Sequence, residues 1–230
     1  MSALLTEYEV KVSEINIYFA FLNDLLKRDA QLLFPRARKR RSAQCSDDLL
    51  RILKANAFLL LYNLVESSVR AGIGNIYDVV RSEGLSYTTI CQELRAIWTN
   101  QKFAPDEGRK AENNAKRLME LIDSVLAAEL INLEVRDLPI AGNVDADQIR
   151  ILSNKYGFRF RSSARLKGGV LLKRVKDERN SLAHGYKSFI QCGRDATLDD
   201  LIEIHRQVIP YIRQFLRGID TFIQKRRYAS

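Results

Sequence analysis

Cysteine, histidine, proline and glycine are scarce in this chain of 230 residues, and each shortage narrows what the protein can be. Cys45, Cys91 and Cys192 are far apart and form no CxxC pair, and only 2 histidines accompany them. The sequence therefore predicts no metal site, and nothing in it indicates a cofactor. Scattered free cysteines are typical of a reducing cytoplasm. With 4 prolines and 11 glycines, the chain has few turn residues for a β-sandwich or barrel.

Targeting and membrane signals are also lacking. The segment 1–7 has no basic start followed by an apolar run, which predicts that there is no signal peptide. The longest apolar stretch, 57–65, is interrupted by Asn63 and is short for a bilayer span, so a buried helix explains it better. We therefore expect a cytoplasmic protein without a membrane partner.

Positive charge is present in excess, because 37 lysines and arginines outnumber 28 aspartates and glutamates to give a net charge of +9. Such an excess favours a polyanionic partner, with nucleic acid first and an anionic membrane surface second. General solubility is the alternative explanation. The basic run Arg36–Arg41 either contacts nucleic acid or forms a solvated loop.

Long stretches rich in leucine, alanine, glutamate, lysine and arginine predict an all-α fold, a helical bundle with long antiparallel helices. Apolar residues at helical spacing predict helices over 4–34, stopped by Pro35; from a cap at Ser46 or Asp47 to Gly72 and Gly74; over 75–81; over 90–100, with Trp98 buried; over 111–133; between Asp145 and Gly157; over 170–183; and over 198–226, kinked at Pro210. We expect 1–230 to form a single domain. Within it, we interpret 138–169 as a small basic insertion with room for a short extended segment at 158–161.

Two sets of polar side chains are candidate binding residues. Asn63, Glu66 and Arg70 share one stripe of the second helix, and this stripe faces either a cleft or solvent. Cations of the insertion and of the helix after it are candidates for an electrostatic track that binds RNA: Arg159, Arg161, Arg165, Lys167, Lys173 and Lys176. Aromatic residues are interleaved with the arginines over 156–160. They either stack on unpaired bases or pack the insertion onto the bundle.

The stretch RNSLAHGY, which runs from Arg179 to Tyr186, holds the candidate chemistry. Arginine is a permanent, fork-shaped phosphate ligand, and histidine suits proton transfer near neutral pH. Arg179 falls in the apolar stripe of its helix, so it either extends to solvent or faces a cleft or a partner subunit. On a regular helix His184 would lie roughly 140° away, but a left-handed turn at Gly185 would swing it back. The alternative is a histidine that caps the helix dipole beside a surface arginine.

The pattern Arg179-Asn180-x-x-x-His184 resembles the R-x4-6-H signature of the HEPN superfamily (higher eukaryotes and prokaryotes nucleotide-binding domains), in which asparagine often follows the arginine. Tyr186 extends the likeness to the R-x4-H-x-Y form of HEPN toxins, and the likeness is firmest over 48–100 and 168–226. The resemblance implies a metal-independent endoribonuclease whose two motifs meet in a cleft between the subunits of a homodimer. It also implies that Arg179 and His184 are catalytic, that Asn180 supports their geometry and that Tyr186 is accessory. In some toxin families an antitoxin modifies the matching tyrosine, so an antitoxin or another defence protein is a candidate partner.

These features together predict an enzyme that cleaves RNA by attack of the 2′-hydroxyl, in prokaryotic defence, abortive infection or a toxin–antitoxin system. Two alternatives stay open. One is a non-catalytic HEPN module that binds RNA, nucleotides or a partner effector. The other is a basic helical scaffold that docks on an acidic protein, with the motif present by coincidence. The remaining histidine, His205, lies among apolar residues in mid-helix and is interpreted as structural.

Overall fold

The computed structural model describes residues 2–27, 31–34, 41–102, 111–135, 140 and 142–230. Within them the fold is all-α, as the sequence predicts, and none of the described helices is long and apolar enough to cross a bilayer. The eight α-helices of this part of the chain are α1 (Ala3–Lys27), α2 (Asp47–Ser82), α3 (Gln92–Lys102), α4 (Ala111–Leu126), α5 (Ala146–Lys155), α6 (Val170–Ala183), α7 (Phe189–Arg194) and α8 (Leu198–Gln224). A 3₁₀ helix over Ala164–Gly169 and an antiparallel strand pair, β1 (Leu32–Phe34) with β2 (Arg41–Ala43), are also present.

Helices α2 and α8 form the centre of the molecule. α2 contacts α1, α6, α7 and α8, and α1 also packs on α8. The prediction that Gly72 and Gly74 end the second helix is wrong, because α2 runs unbroken through 75–81. A Cβ built on Gly72 would lie 2.7 Å from Ile219 Cδ1, so this glycine lets α8 approach closely. The close packing at Gly72 compensates for the low helix propensity of glycine, which costs about 1 kcal/mol relative to alanine.

Two other helices are shorter than their apolar periodicity predicts. α1 ends at Lys27 rather than at 34, and residues 32–34 are extended. The predicted stop at Pro35 and residues 36–40 of the basic run lie outside the described residues. α4 ends at Leu126 rather than at 133, and Ala128 then adopts a left-handed φ of 50°. After α4, Ile131 and Leu133 are buried although they lie on irregular backbone.

Capping side chains begin the helices where the sequence predicts. Ser46 and Asp145 each accept a hydrogen bond from a first-turn N–H, at the starts of α2 and α5. Trp98 is buried, and α6 spans the predicted 170–183. Helix α7 was not predicted, because it has only six residues and is defined by a capping box at Ser188 rather than by periodicity.

The described part of the predicted insertion, 142–169, packs onto α8 through its aromatic side chains. The Phe158 ring centroid lies 5.5 Å from that of Phe215, and the Phe160 ring lies edge-on to Tyr211 at 5.6 Å. Of the two explanations for these aromatic residues, packing is therefore confirmed. The segment 158–161 forms neither helix nor strand. That 138–169 is an insertion within one domain stays a prediction.

Candidate active site

The end of α6 has the geometry of a Schellman motif. His184 is the C-cap residue, with φ −92° and ψ 1°, and Gly185 adopts a left-handed φ of 71°. The Tyr186 N–H donates to the Ser181 carbonyl at 2.9 Å, and the Gly185 N–H donates to the Leu182 carbonyl at 3.2 Å. These are the two hydrogen bonds that define the motif. The left-handed turn at Gly185 is thus as predicted.

Arg179 faces α2 and is only 27% exposed. Its Cζ lies 4.5 Å from the centre of the buried Tyr62 ring. Its Nη1 donates to Asn180 Oδ1 at 2.9 Å, and its Nη2 lies 3.9 Å from Glu66 Oε2. An aromatic face and a carboxylate therefore accommodate a permanent cation within an otherwise apolar stripe.

The turn at 142–145 approaches Arg179 from another side. Gly142 has a φ of +68°, and a Cβ built there would lie 3.0 Å from Arg179 Nη1. Asn143 Oδ1 accepts a hydrogen bond of 3.3 Å from Asn180 Nδ2. Asn180 therefore connects the guanidinium to this turn, and Gly142 leaves room for it.

An ion pair with little solvent exposure fastens this turn to α6. Lys176 Nζ lies 2.6 Å from Asp145 Oδ2, and both side chains are largely buried. Burial acts to raise the pKa of Asp145, but the hydrogen bonds from Lys176 and from the Gln148 N–H outweigh it and hold the pKa below its usual value. The pair therefore stabilises the turn that contacts Arg179.

Of the three residues in the predicted polar stripe of α2, Glu66 and Arg70 lie at this site and Asn63 does not. Glu66 lies between two arginines, since its Oε1 accepts from Arg70 Nε at 3.3 Å and its Oε2 faces Arg179. Arg70 also donates to the carbonyl of Ile140, just before the turn. Asn63 does not join the group; it is exposed and lines a separate cavity of about 420 Å³ between α1 and α2.

His184 and Tyr186 lie at the exposed corner that follows the helix. Tyr186 is 80% exposed, and its ring centroid lies 5.8 Å from that of His184. Among the residues that the structure describes, no hydrogen bond joins the His184 ring to Arg179. One chain therefore presents a partly shielded guanidinium and an exposed imidazole that no hydrogen bond joins.

The six predicted RNA-binding cations fall into two groups. Lys173 forms a surface ion pair of 2.8 Å with Asp177, and Lys176 is the partner of Asp145. The other four are exposed and form no ion pair within the described residues: Arg159, Arg161, Arg165 and Lys167. The second group is therefore the one available to a polyanion.

Three residues of the site are absent from the prediction made from the sequence: Tyr62, Gly142 and Asn143. Tyr62 precedes Glu66 by one helical turn, so its position on the polar stripe of α2 was a usable signal. The two turn residues reach Arg179 only through tertiary packing. No spacing along the chain connects them to the motif.

A second polar group lies behind the helix end. Lys187 Nζ is 3.1 Å from Glu178 Oε1, and the Cys192 thiol donates to Glu178 Oε2 at 3.4 Å. Burial, reinforced by the Glu178 charge, raises the pKa of Cys192 to about 12. The thiol therefore stays protonated at neutral pH, which argues for a structural role rather than a nucleophilic one.

Comparisons with known proteins identify the family of this chain. A family model described as HEPN_MAE_28990-like HEPN matches residues 1–228, whereas neither a curated protein nor a solved structure matches significantly. Within the described residues, no group of three or more histidine, cysteine, aspartate or glutamate side chains could hold a metal ion. The family match supports an RNA-related or nuclease-like function in general terms. Because that match covers nearly the whole chain, and because Arg179 and His184 stand at the end of a helix in an all-α fold, the protein belongs to the HEPN superfamily, in the HEPN_MAE_28990-like family.

Proposed function

We propose that this protein is a metal-independent endoribonuclease of the HEPN type, which cleaves RNA at a composite site between two copies of the chain. The observation that carries the proposal is the setting of Arg179. Its guanidinium is held by Tyr62, Glu66 and Asn180, five residues before an exposed His184. A fixed cation binds the scissile phosphate, and an accessible imidazole transfers protons.

The reaction is attack of the RNA 2′-oxygen on the adjacent phosphorus. The bond from phosphorus to the 5′-oxygen breaks, which leaves a 2′,3′-cyclic phosphate and a free 5′-hydroxyl. A base must accept the 2′-proton, an acid must protonate the leaving oxygen, and a cation must offset the charge on the phosphorane. His184 serves as base or acid, Arg179 offsets the charge, and Asn180 orients Arg179. Tyr186 is an accessory group beside His184.

The second proton-transfer group would come from a second copy of the chain. The remaining histidine, His205, is not available, because its Nε2 is 2.8 Å from Asn16 Oδ1 where α8 meets α1. Around His184, the side chains of Tyr186, Phe189 and Ile190 are exposed together. Exposed apolar groups of this kind favour association, which supports a homodimer whose two His184 side chains share the acid and base roles.

The direct test is cleavage of RNA by the purified protein in the presence of EDTA. We expect products with 2′,3′-cyclic phosphate and 5′-hydroxyl ends. Arg179→Ala and His184→Ala should each lower the rate at least about a hundredfold, as expected for loss of a charge-stabilising or proton-transfer group. Arg194→Ala removes an exposed arginine of α7 and serves as the control that keeps activity. Activity in the His184→Ala protein would overturn the proposal.

The cellular role proposed here is prokaryotic defence, as an abortive-infection effector or a toxin with an antitoxin partner. A toxic ribonuclease arrests growth when it is expressed alone. We therefore expect expression of the wild-type chain to arrest growth and His184→Ala to relieve the arrest at equal protein level. Equal toxicity of the two chains would contradict this role.

A second candidate is a non-catalytic HEPN module that binds RNA or nucleotides. The observation in its favour is that Arg179 donates a hydrogen bond to Asn180 and faces Glu66, whereas no hydrogen bond joins it to His184 within the described residues. Binding of RNA without cleavage, weakened by salt, is the outcome that selects this candidate. A protein indifferent to RNA would leave only the scaffold role.

A further inference from the structure

Helix α4 carries apolar side chains on two faces, and one of these faces is exposed to solvent. Leu121 and Val125 pack against the hydrophobic core. Four other large side chains of the same helix face solvent, with exposed fractions between 44% and 79%: Leu118, Met119, Ile122 and Leu126. Contiguous exposed apolar groups are uncommon on a monomeric protein and mark a surface that another molecule covers.

The four exposed side chains form one stripe on the helix. At about 100° per residue, Leu118, Ile122, Leu126 and Met119 fall within an arc of roughly 100°, and Ala115 lies inside it. The stripe is adjacent to the line of Leu121 and Val125 that meets the core. α4 therefore has two apolar faces, of which the described part of the chain covers one.

Two opposite charges flank this stripe on the same side. Lys116 and Asp123 lie seven residues apart, both are exposed, and neither forms an ion pair within the described residues. When two copies of a helix pair antiparallel about a twofold axis, flanking residues on one side meet their counterparts on the same side of the other copy. With the axis between residues 119 and 120, Lys116 of each copy then lies opposite Asp123 of the other. The stripe is thus complementary in charge to itself, as an isologous contact requires.

We propose that α4 is the contact helix of an interface with a second copy of this chain, in which the Leu118–Leu126 stripes pack antiparallel and Lys116 pairs with Asp123 across the axis. This interface uses side chains of α4 alone, and none of them belongs to the candidate active site. The chain after α4 joins the fold at Leu85, whose carbonyl accepts from the Ile131 N–H at 2.8 Å, whereas Arg179 lies over Tyr62, roughly 30 Å back along α2. The inference therefore does not rest on the proposed function.

The test is the molar mass of the purified full-length chain, measured by sedimentation equilibrium. We expect the wild type to associate and Ile122→Glu to halve the mass, with the dissociation constant of this step raised at least about a hundredfold, because each pair of copies carries the substitution twice. Ile151→Glu makes the same exchange at an exposed isoleucine of α5 and should keep the wild-type mass. A wild type that stays monomeric would overturn the proposal.

Charge reversal tests the same contact without altering the apolar stripe. Lys116→Glu places two acidic pairs across the axis and should weaken association about tenfold, and adding Asp123→Lys should restore it. Failure of the double variant to restore association would overturn the antiparallel arrangement. A lower melting temperature in Ile122→Glu with unchanged mass would overturn the interface, because the stripe would then be covered within its own chain.

Discussion

The guanidinium of Arg179 lies over the ring of Tyr62, with Cζ 4.5 Å from the ring centre. This contact explains how α6 can carry a permanent charge on the face that packs against α2. The flat surface of the guanidinium covers the aromatic ring, while its N–H groups point sideways toward Asn180 and Glu66. The guanidinium of Arg179 is therefore held in one orientation before any ligand binds.

The ring of Tyr62 is expected to matter for activity through its face rather than its hydroxyl. Tyr62→Phe keeps the face and removes the hydroxyl that accepts from the Val144 N–H at 3.2 Å, at a cost in stability of about 1 kcal/mol. Tyr62→Leu removes the face and should slow RNA cleavage about five- to tenfold, as expected when about 1 kcal/mol of orienting energy disappears. Cleavage rates alongside urea unfolding separate the two effects. Equal rates for both variants would contradict this view.

The carboxylate of Glu66 is expected to position Arg179 without contacting RNA. Glu66→Gln keeps the shape of the side chain but removes the charge that faces both Arg70 and Arg179. We expect kcat for RNA cleavage to fall about tenfold, with KM unchanged or lower, because the site loses a negative charge that opposes phosphate. Glu129→Gln makes the same charge change at an exposed site and is the control. A rise in KM at constant kcat would refute the positioning role.

The effect on cleavage of the close contact between Gly142 and Arg179 can be separated from the effect of backbone strain. Gly142 and Gly168 both adopt left-handed conformations, with φ of +68° and +64°. Alanine at either position should lower stability by about 1–2 kcal/mol. Only at Gly142 would the new Cβ meet Arg179 Nη1, at 3.0 Å, whereas nothing lies within 4 Å of a Cβ at Gly168. Cleavage should therefore fall in Gly142→Ala and persist in Gly168→Ala; the same loss in both would mean that strain alone is responsible.

Removal of the exposed cations should affect RNA binding, whereas removal of the paired cation Lys176 should affect stability. Arg161→Ala and Arg165→Ala should weaken RNA binding and reduce the slope of log affinity against log salt by about 0.7 for each single-strand phosphate that the protein no longer neutralises. Lys176→Ala leaves Asp145 unpaired and should lower the free energy of unfolding by about 3 kcal/mol. Salt titrations and urea denaturation measure the two effects. An unchanged salt slope in the double variant Arg161→Ala/Arg165→Ala would remove these residues from the RNA track.

Protonation of His205 should weaken the contact between α1 and α8. Burial, with the nearby charge of Arg206, lowers the pKa of His205, whose Nε2 bonds Asn16 and whose ring lies 4.4 Å from that of Phe19. A lowered pKa in the folded state means that the unfolded chain takes up the proton first. The stabilising contribution is therefore complete above pH 6.5 and falls as the pH drops below that value.

We expect a lower melting temperature at pH 5 than at pH 7.5, and a smaller difference in His205→Gln, which keeps a group able to bond Asn16. Thermal unfolding followed by circular dichroism checks this prediction. The same pH dependence in wild type and variant would show that other groups control stability in this range.

The sequence predicts this fold where local rules decide and fails where packing decides. Helix α6 and the caps at Ser46 and Asp145 follow from periodicity and side-chain chemistry, and the structure confirms them. The low helix propensity of glycine predicts a helix end at Gly72. Its role is instead set by Ile219 on a helix far away in the sequence, which no local pattern contains.

The same division holds at the candidate site. Arg179 in an apolar stripe and Gly185 after a histidine could be recognised from spacing, and in the structure Arg179 faces Tyr62 and Glu66 of α2 and Gly185 is left-handed. The turn residues Gly142 and Asn143 could not be recognised. Their position depends on how 142–145 is fastened to α6 by the pair between Lys176 and Asp145, and such a pair has no signature in sequence.

The Schellman motif at the end of α6 limits how the transition state of the proposed reaction could be stabilised. The N–H groups of His184, Gly185, Tyr186 and Lys187 all donate to carbonyls of the preceding turn, so this corner offers no backbone amide for an oxyanion hole. The carboxyl end of a helix also carries partial negative charge, which repels phosphate. In the proposed reaction, the charge on the phosphorane must then be stabilised by side chains, and no backbone N–H of residues 184–187 could replace the guanidinium of Arg179.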